Sequence, residues 1–201
     1  MCRYYNVYGN EHDFFISHTK TSKGRQASYI KPVASIRPNK TEINRVRLTA
    51  CGDNLEYPDV TSTDVASLTT TKIHLNSVVS TPTSKYITSD IKDFYYDTPL
   101  ERFEYLRVPL TQVLNEIVAQ YDLRTIEDGG WIYIEVWKGM PRLNQADKVA
   151  NDHLTKHLST YGYSPVPGPL ALWRHESRPT TLTLCVDDFG IKYYKKGFPR
   201  K

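Results

Sequence analysis

The sequence predicts an α+β fold in which a sheet is layered with helices, and three observations carry that reading. Trp131–Trp137 and Thr181–Val186 are short runs rich in β-branched and aromatic residues. Pro109–Tyr121 and Leu143–Leu158 repeat apolar residues at helical spacing. The two kinds of segment interleave along 201 residues, enough for one domain of ordinary size or two small lobes.

In chain order, residues 1–44 read as a basic, partly disordered N-terminal arm. Tyrosines and phenylalanines come first, then Lys20, Lys23, Arg25, Lys31, Arg37 and Lys40, and only Gln26–Arg37 alternates well enough for a strand. Residues 45–201 read as the folded domain. Arg45-Val46-Arg47-Leu48-Thr49 is a strand with both arginines on one face. After the loop closed by Pro58, Ser62 or Thr63 caps a helix to about Val79, with Val65, Leu68, Ile73, Leu75 and Val79 as its expected inner side. Lys85–Ser89 is a strand that Asp90 ends.

Pro109 suits a first helical turn, and Leu110, Val113, Leu114, Ile117, Val118 and Tyr121 come after it at helical spacing. Asp128-Gly129-Gly130 breaks the chain before the strand Trp131–Trp137. The helix over about Leu143–Leu158 is expected to turn Leu143, Ala146, Val149, Ala150, Leu154 and Leu158 inward. Gly162–Pro169 is a loop, and Leu170–His175 and Thr181–Val186 are strands. The second opens a hairpin whose far arm ends in Lys195, Lys196, Arg200 and Lys201.

A formal charge of +4 favours an anionic partner, though many proteins with no nucleic-acid role are equally basic. Cys2, Cys51 and Cys185 are scattered, without the paired spacing of a zinc site or a disulfide framework. A reduced, soluble, intracellular chain is expected, cytoplasmic or nuclear. The N-terminus carries no hydrophobic signal segment, and no apolar run approaches the ~20 residues that span a bilayer, so no membrane partner is expected.

The chemistry concentrates in carboxylates. Asp187-Asp188 lies between Thr181–Val186 and the short run Phe189–Tyr194, and Asp90 ends another strand. Hard divalent cations take oxygen ligands, and two of them roughly 3.5 to 4 Å apart clamp the attacking and leaving oxygens of a phosphoryl transfer. Aspartate pairs are equally ordinary turn residues. His153 and His157 sit four apart on a helix without an evident third ligand, which favours a solvent-facing pair. Trp131, Trp137 and Trp173 can stack on bases or fill a core.

The segment Ser89-Asp90-Ile91-Lys92-Asp93-Phe94-Tyr95, with Pro99-Leu100 beyond it, resembles the first palm motif of reverse transcriptases. Cys185-Val186-Asp187-Asp188 resembles the family's aromatic-x-Asp-Asp motif, with cysteine at the aromatic position, and Gln145-Ala146 resembles the motif between them. The resemblance covers roughly Arg45 to Tyr194. It is closest to copia-type LTR retrotransposons, whose fingers carry an Arg-Leu-Val segment like Arg47-Leu48-Thr49 and whose middle motif comes after a lysine like Lys138.

The resemblance implies an antiparallel palm sheet with packed helices, preceded by fingers and lacking a thumb. It implies an RNA-directed DNA polymerase, a nucleotidyltransferase that adds deoxynucleotides to a primer 3′-hydroxyl on an RNA or DNA template. Asp90, Asp187 and Asp188 would be the catalytic, metal-binding acids for two Mg²⁺ ions, with Mn²⁺ as a substitute. Tyr95 would lie beneath the incoming sugar and reject ribonucleotides. Gln145, Asp93, Arg45 and Arg47 would complete the nucleotide site, the arginines through their forked fit to phosphate.

Relatives show Tyr-Gly-Leu-x-Gln-Ala where this chain has Pro141-Arg142-Leu143-Asn144-Gln145-Ala146-Asp147. Arg142 replaces a residue chosen for backbone freedom, and Asp147 adds negative charge. A truncated or degenerate polymerase copy is therefore expected, with thumb, ribonuclease H and integrase regions as further polyprotein partners. Two other readings stand beside it: a non-catalytic nucleic-acid-binding remnant, and a two-metal nuclease using the same acids.

Overall fold

The structure is a computed structural model, and it describes residues 15–21, 25–39 and 41–194. Lys23, Lys40, Lys195, Lys196, Arg200 and Lys201 lie outside the described residues, as do residues 1–14 of the expected arm. In chain order the elements are β1 (Phe15–Ile16), β2 (Ser28–Ile36), β3 (Asn44–Ala50), α1 (Leu68–Val79), β4 (Ser84–Asp90), β5 (Pro99–Pro109), α2 (Asn115–Gln120), β6 (Trp131–Lys138), α3 (Ala146–Thr160), β7 (Tyr163–Pro165), β8 (Leu172–His175), β9 (Thr181–Cys185) and β10 (Asp188–Tyr194). The architecture is α+β, with two mostly antiparallel five-stranded sheets. It divides into two compact units, Met1–Thr61 with Tyr95–Ala146, and Ser62–Phe94 with Asp147–Lys201.

The first unit holds the sheet β1-β6-β5-β2-β3. β5 and β6 form its spine, with Leu106 opposite Ile134 and Val108 opposite Ile132. Strand alternation sends Ile132 to one face, where it packs with Val118 and Leu123 beneath Phe15, Val108, Leu110, Val113 and Ile117. On the other face Ile16, Tyr105 and Tyr133 form a second buried cluster. Part of the expected arm belongs to this sheet: Ser28–Ile36 pairs antiparallel with β3 and, through Ser28 and Tyr29, parallel with β5. The pairing of β2 with β5 stops at Tyr29, and Pro32 lies beyond it, where a strand can do without an N–H.

The helix expected from Pro109 is a correction. Pro109 is the last residue of β5, opposite Trp131, and after it come a 3-10 turn and the six-residue α2. Leu110, Val113, Ile117 and Val118 still reach the core, but Leu114 and Tyr121 are exposed. The β-rich strand β6 claims its partner from Pro99–Pro109, a strand that local pattern does not announce, and α2 is confined to residues beyond that pairing.

A buried charge knits the first unit. Glu104 is 2% exposed, accepts from Arg25 at 2.6 Å and from the Gln145 amide at 2.8 Å, and lies 3.9 Å from Arg102. Gly52 and Gly139 let backbones meet: a Cβ at Gly52 would stand 2.1 Å from the Arg142 carbonyl, and one at Gly139 2.6 Å from that of Tyr95.

The second unit holds the sheet β4-β10-β9-β8-β7. Leu182 and Ile191 are paired and pack with Trp173, Leu154 and Leu158, so α3 covers their face. None of the residues expected to turn inward from α3 is exposed. Helix α1 departs from expectation in its start and in its buried side. Ser67 caps it, its hydroxyl accepting from the Thr70 N–H at 3.0 Å, and Val65 precedes the helix. The buried side is Thr70 and His74, whereas Leu68 and Val79 are 70% and 85% exposed and Val65, Ile73 and Leu75 are exposed as well.

The cause is the sheet face that α1 meets. That face carries Thr181, Thr183 and Lys192 at paired positions, and it demands hydrogen-bonding partners. His74 supplies them, with Nε2 2.9 Å from the Thr181 hydroxyl and Nδ1 3.3 Å from that of Thr183. Lys192 donates to the Ser77 carbonyl and the Thr81 hydroxyl, both at 2.9 Å. No described helix is long and apolar enough to cross a membrane.

These buried polar groups make stability sensitive to pH and to substitution. Burial, with Lys192 nearby, holds the His74 imidazole below its ordinary pKa. The unfolded chain therefore binds the extra proton first, and this contribution to stability is full above the unfolded value of about 6.5 and is lost as pH falls through the folded value. Urea midpoints for the parent and His74→Gln should converge as pH is lowered from 7.5 towards 5 (roughly, spanning the titration range); parallel curves would discount the effect. Glu104→Ala should cost about 3 kcal/mol in the same assay, because Arg25 and Gln145 lose a buried partner.

Candidate metal-binding hairpin

The ladder between β4, β10 and β9 positions the acids. Asp188 is paired with Asp90 across β10 and β4, and with Cys185 across the β9–β10 hairpin. The turn is therefore the dipeptide Val186-Asp187. The Ile91 N–H donates to the Asp187 carbonyl at 2.9 Å, which makes Asp90 and Asp188 a pair of the non-hydrogen-bonded kind. In such a pair the Cα atoms approach to about 4.5 Å and both side chains leave the same face of the sheet. Two exposed carboxylates thus stand directly opposite each other, and Asp187 sits half-buried at the turn.

The turn itself is strained. Val186 has φ 61°, and Asp187 is not among the residues of positive φ, the pattern of a II′ turn whose first central position prefers glycine. A β-branched residue in this region costs roughly 1–3 kcal/mol and needs its surroundings to hold it there. Ala66 donates to the Leu184 carbonyl at 2.9 Å, and Leu184 donates to that of Ala171 at 3.0 Å, so the strand is bound beyond its ladder just before the turn.

Asp93 comes after β4 at φ 56°, a left-handed conformation that aspartate tolerates, with Lys92 3.8 Å away. Asp90, Asp93, Asp187 and Asp188 all belong to the second unit. Arg45, Arg47, Tyr95 and Gln145 belong to the first. Arg45 and Arg47 face Ser35 and Val33 across β2–β3, so they share a face with Lys31, as their spacing predicts. Partial burial, then the charges of Arg47 and Arg37, hold the Arg45 guanidinium below its ordinary pKa. Tyr95 is half-buried, and its carbonyl accepts from Thr98 at 3.0 Å. Gln145 is 2% exposed and donates to Glu104, so its amide serves the interior of the first unit.

Arg142 adds a feature that spacing alone does not reveal. It has φ 71°, the left-handed conformation that glycine adopts without strain, at the position where the resembled motif has glycine. Sequence pattern also leaves Glu104, His74 and Val186 unmarked as participants. An acid alternating with β-formers in Phe103-Glu104-Tyr105-Leu106 is the available signal for the first.

Among the described residues no three His, Cys, Asp or Glu side chains stand close enough together to hold a metal ion as they are placed. The donor type nevertheless suits a hard cation, and the backbone register supplies adjacency for two of the three carboxylates. His153 and His157 are both exposed on α3.

Asp90→Asn should raise stability by about 0.2–1 kcal/mol at low ionic strength, by removing one of two opposed like charges, and less in high salt. Arg142→Gly should raise it by roughly 0.5–1 kcal/mol, the relief of a left-handed side chain less the added freedom of glycine in the unfolded chain. Urea denaturation at two salt concentrations reads both, and a loss of stability in either variant would contradict the corresponding origin.

No protein-family model, no curated protein and no solved structure matches this chain.

Proposed function

We propose that this chain is the fingers-and-palm portion of a retrotransposon reverse transcriptase of copia type, an RNA-directed DNA polymerase that extends a primer 3′-hydroxyl with deoxynucleotides. The observation that carries the reading is the direct opposition of Asp90 and Asp188 on neighbouring strands, beside a strained hairpin tip that presents Asp187. Three motifs in the family's order support it, as does the left-handed backbone at Arg142.

In this reading Asp90, Asp187 and Asp188 supply the anionic oxygens that hold two Mg²⁺ ions. When bound, magnesium supplies Lewis-acid stabilisation of charge on the phosphoryl oxygens and on the attacking and leaving oxygens. A cation between the opposed carboxylates would relieve their mutual repulsion. Asp93 belongs to the same unit as these acids and would help orient the nucleotide, while the roles for Tyr95, Gln145, Arg45 and Arg47 at sugar and phosphate rest on the family resemblance alone.

A second reading, a non-catalytic nucleic-acid-binding remnant, is favoured by Gln145, whose amide is engaged with the buried Glu104, and by the arginine held at φ 71° in the middle motif. Extension of a labelled DNA primer on an RNA template, with Mg²⁺ and deoxynucleotides, separates the two. The polymerase reading expects extension that falls about 100-fold or more in the Asp187→Asn, Asp188→Asn variant, the scale of losing charge aimed at a reacting centre. Folded parent protein that binds the primer-template without extending it selects the remnant, and shortening of the primer selects a nuclease.

A further inference from the structure

We propose that one face of the first unit's sheet binds the phosphate of a nucleotide, free or within single-stranded nucleic acid, in a cavity built around Arg107, with exposed aromatic rings on the same face to stack on bases. The assignment concerns the first unit alone and is independent of the carboxylate hairpin. Register places the participants: Arg107 is paired with Tyr133 on β6 and with Tyr29 on β2, Tyr105 with Glu135, and Pro109 with Trp131. Alternation puts Tyr29, Tyr105, Arg107, Trp131, Tyr133 and Trp137 on one face, together with Glu135, whose carboxylate accepts from the Tyr105 hydroxyl at 3.1 Å and the Trp137 indole at 2.6 Å.

A cavity of about 230 Å³ opens there, lined by His18, Thr21, Arg25, Gln26, Arg107 and Tyr133 among others. Among the described residues no carboxylate lines it, and three of the lining side chains can carry positive charge. Two are already engaged: Arg25 with Glu104 at 2.6 Å and His18 with Asp128 at 3.0 Å. Arg107 has no carboxylate partner among the described residues. Its guanidinium lies 4.5 Å from the Tyr29 ring centroid and 4.7 Å from that of Trp131, and it donates to the Tyr29 hydroxyl. Its Nε is buried and lacks a hydrogen-bond partner among the described residues.

A guanidinium packed against two rings that touch each other at 5.6 Å, with a donor unused, is a rigid fork for acceptor oxygens, and a phosphate presents them in matching geometry. The volume limits what enters. It falls below the ~300 Å³ at which pockets begin to enclose drug-sized ligands, so a phosphate and part of its sugar fit while the base stays outside. Tyr29, 37% exposed, stands beside the arginine, and Phe103 and Trp137, each 40% exposed and stacked on each other at 5.5 Å, lie four residues along β5 and β6, roughly 13 Å away and within reach of a neighbouring base of a single strand. Aromatic faces beside an arginine are how sheet surfaces hold unpaired bases.

The test is fluorescence anisotropy of a short labelled oligouridylate with the full chain, titrated with salt. Arg107→Gln should weaken binding about tenfold or more and lower the salt slope by about one. Trp137→Ala should weaken it about fivefold or more through lost stacking. Displacement of the oligonucleotide by uridine monophosphate identifies the free nucleotide as the source of the phosphate, and displacement by unlabelled oligonucleotide alone identifies the chain. No saturable binding by the parent, or affinity indifferent to Arg107→Gln, overturns the proposal. Should Arg107→Gln not fold, the parent and Trp137→Ala decide: binding that neither inorganic phosphate nor the tryptophan change weakens overturns it equally.

Discussion

One buried carboxylate organises the first unit. Glu104 lies in the middle of β5, on the face opposite Tyr105, where a charge can persist only if its oxygens are met. They are met from distant parts of the sequence: Arg25 from the segment before β2 and Gln145 from the residue before α3. The hydrogen bonds therefore fix where those two segments lie against the central strand. Apolar packing at Ile132 and Leu106 supplies burial without direction, whereas a charged acceptor tolerates few arrangements of its donors. Gln145 consequently belongs to the framework whatever else it does.

Among its described residues the second unit solves a similar problem without a buried ion pair. Its α1 turns threonine and histidine toward the sheet because the sheet offers threonine hydroxyls and a lysine there. That choice reverses the hydrophobic pattern expected from Leu68, Ile73, Leu75 and Val79, all of them exposed. Hydrophobic periodicity assumes an apolar partner, and it misreads any helix whose partner surface is polar. The helix α3 lies against Trp173 and Leu182, and its inner residues were legible from spacing alone. The same contrast explains β5: Leu110 to Tyr121 has helical spacing, but the stronger constraint was pairing with β6, a long-range fact absent from local pattern.

The candidate site was legible to a similar degree. Asp90 and Asp187-Asp188 could be placed at strand ends from composition and turn chemistry, and the ladder brings Asp90 and Asp188 together. The register that makes them direct partners, and the hydrogen-bond class of that pair, depend on tertiary pairing that no single segment encodes. Positive φ at Val186 and Arg142 was illegible for another reason. Neither residue type favours that conformation, so only the surrounding structure can impose it. At Arg142 the close approach of Gly52 to its carbonyl is one such constraint.

The hairpin is not what stability alone would select. A two-residue turn between β9 and β10 would be most stable with glycine or asparagine at its strained position and with a neutral partner for Asp90. The chain has valine at φ 61° and aspartate instead. Both departures act at the same few residues, of which Asp90, Cys185 and Asp188 are exposed and Val186 is half-buried. The hydrogen bonds of Leu184 to Ala66 and Ala171 help hold the strained turn, and in the proposed reading a cation shared by the two strands would offset the repulsion. The hairpin's local cost is thus a fact of backbone angles and pairing, separate from the motif, which is a fact of residue identity, and the two coincide at the same four residues.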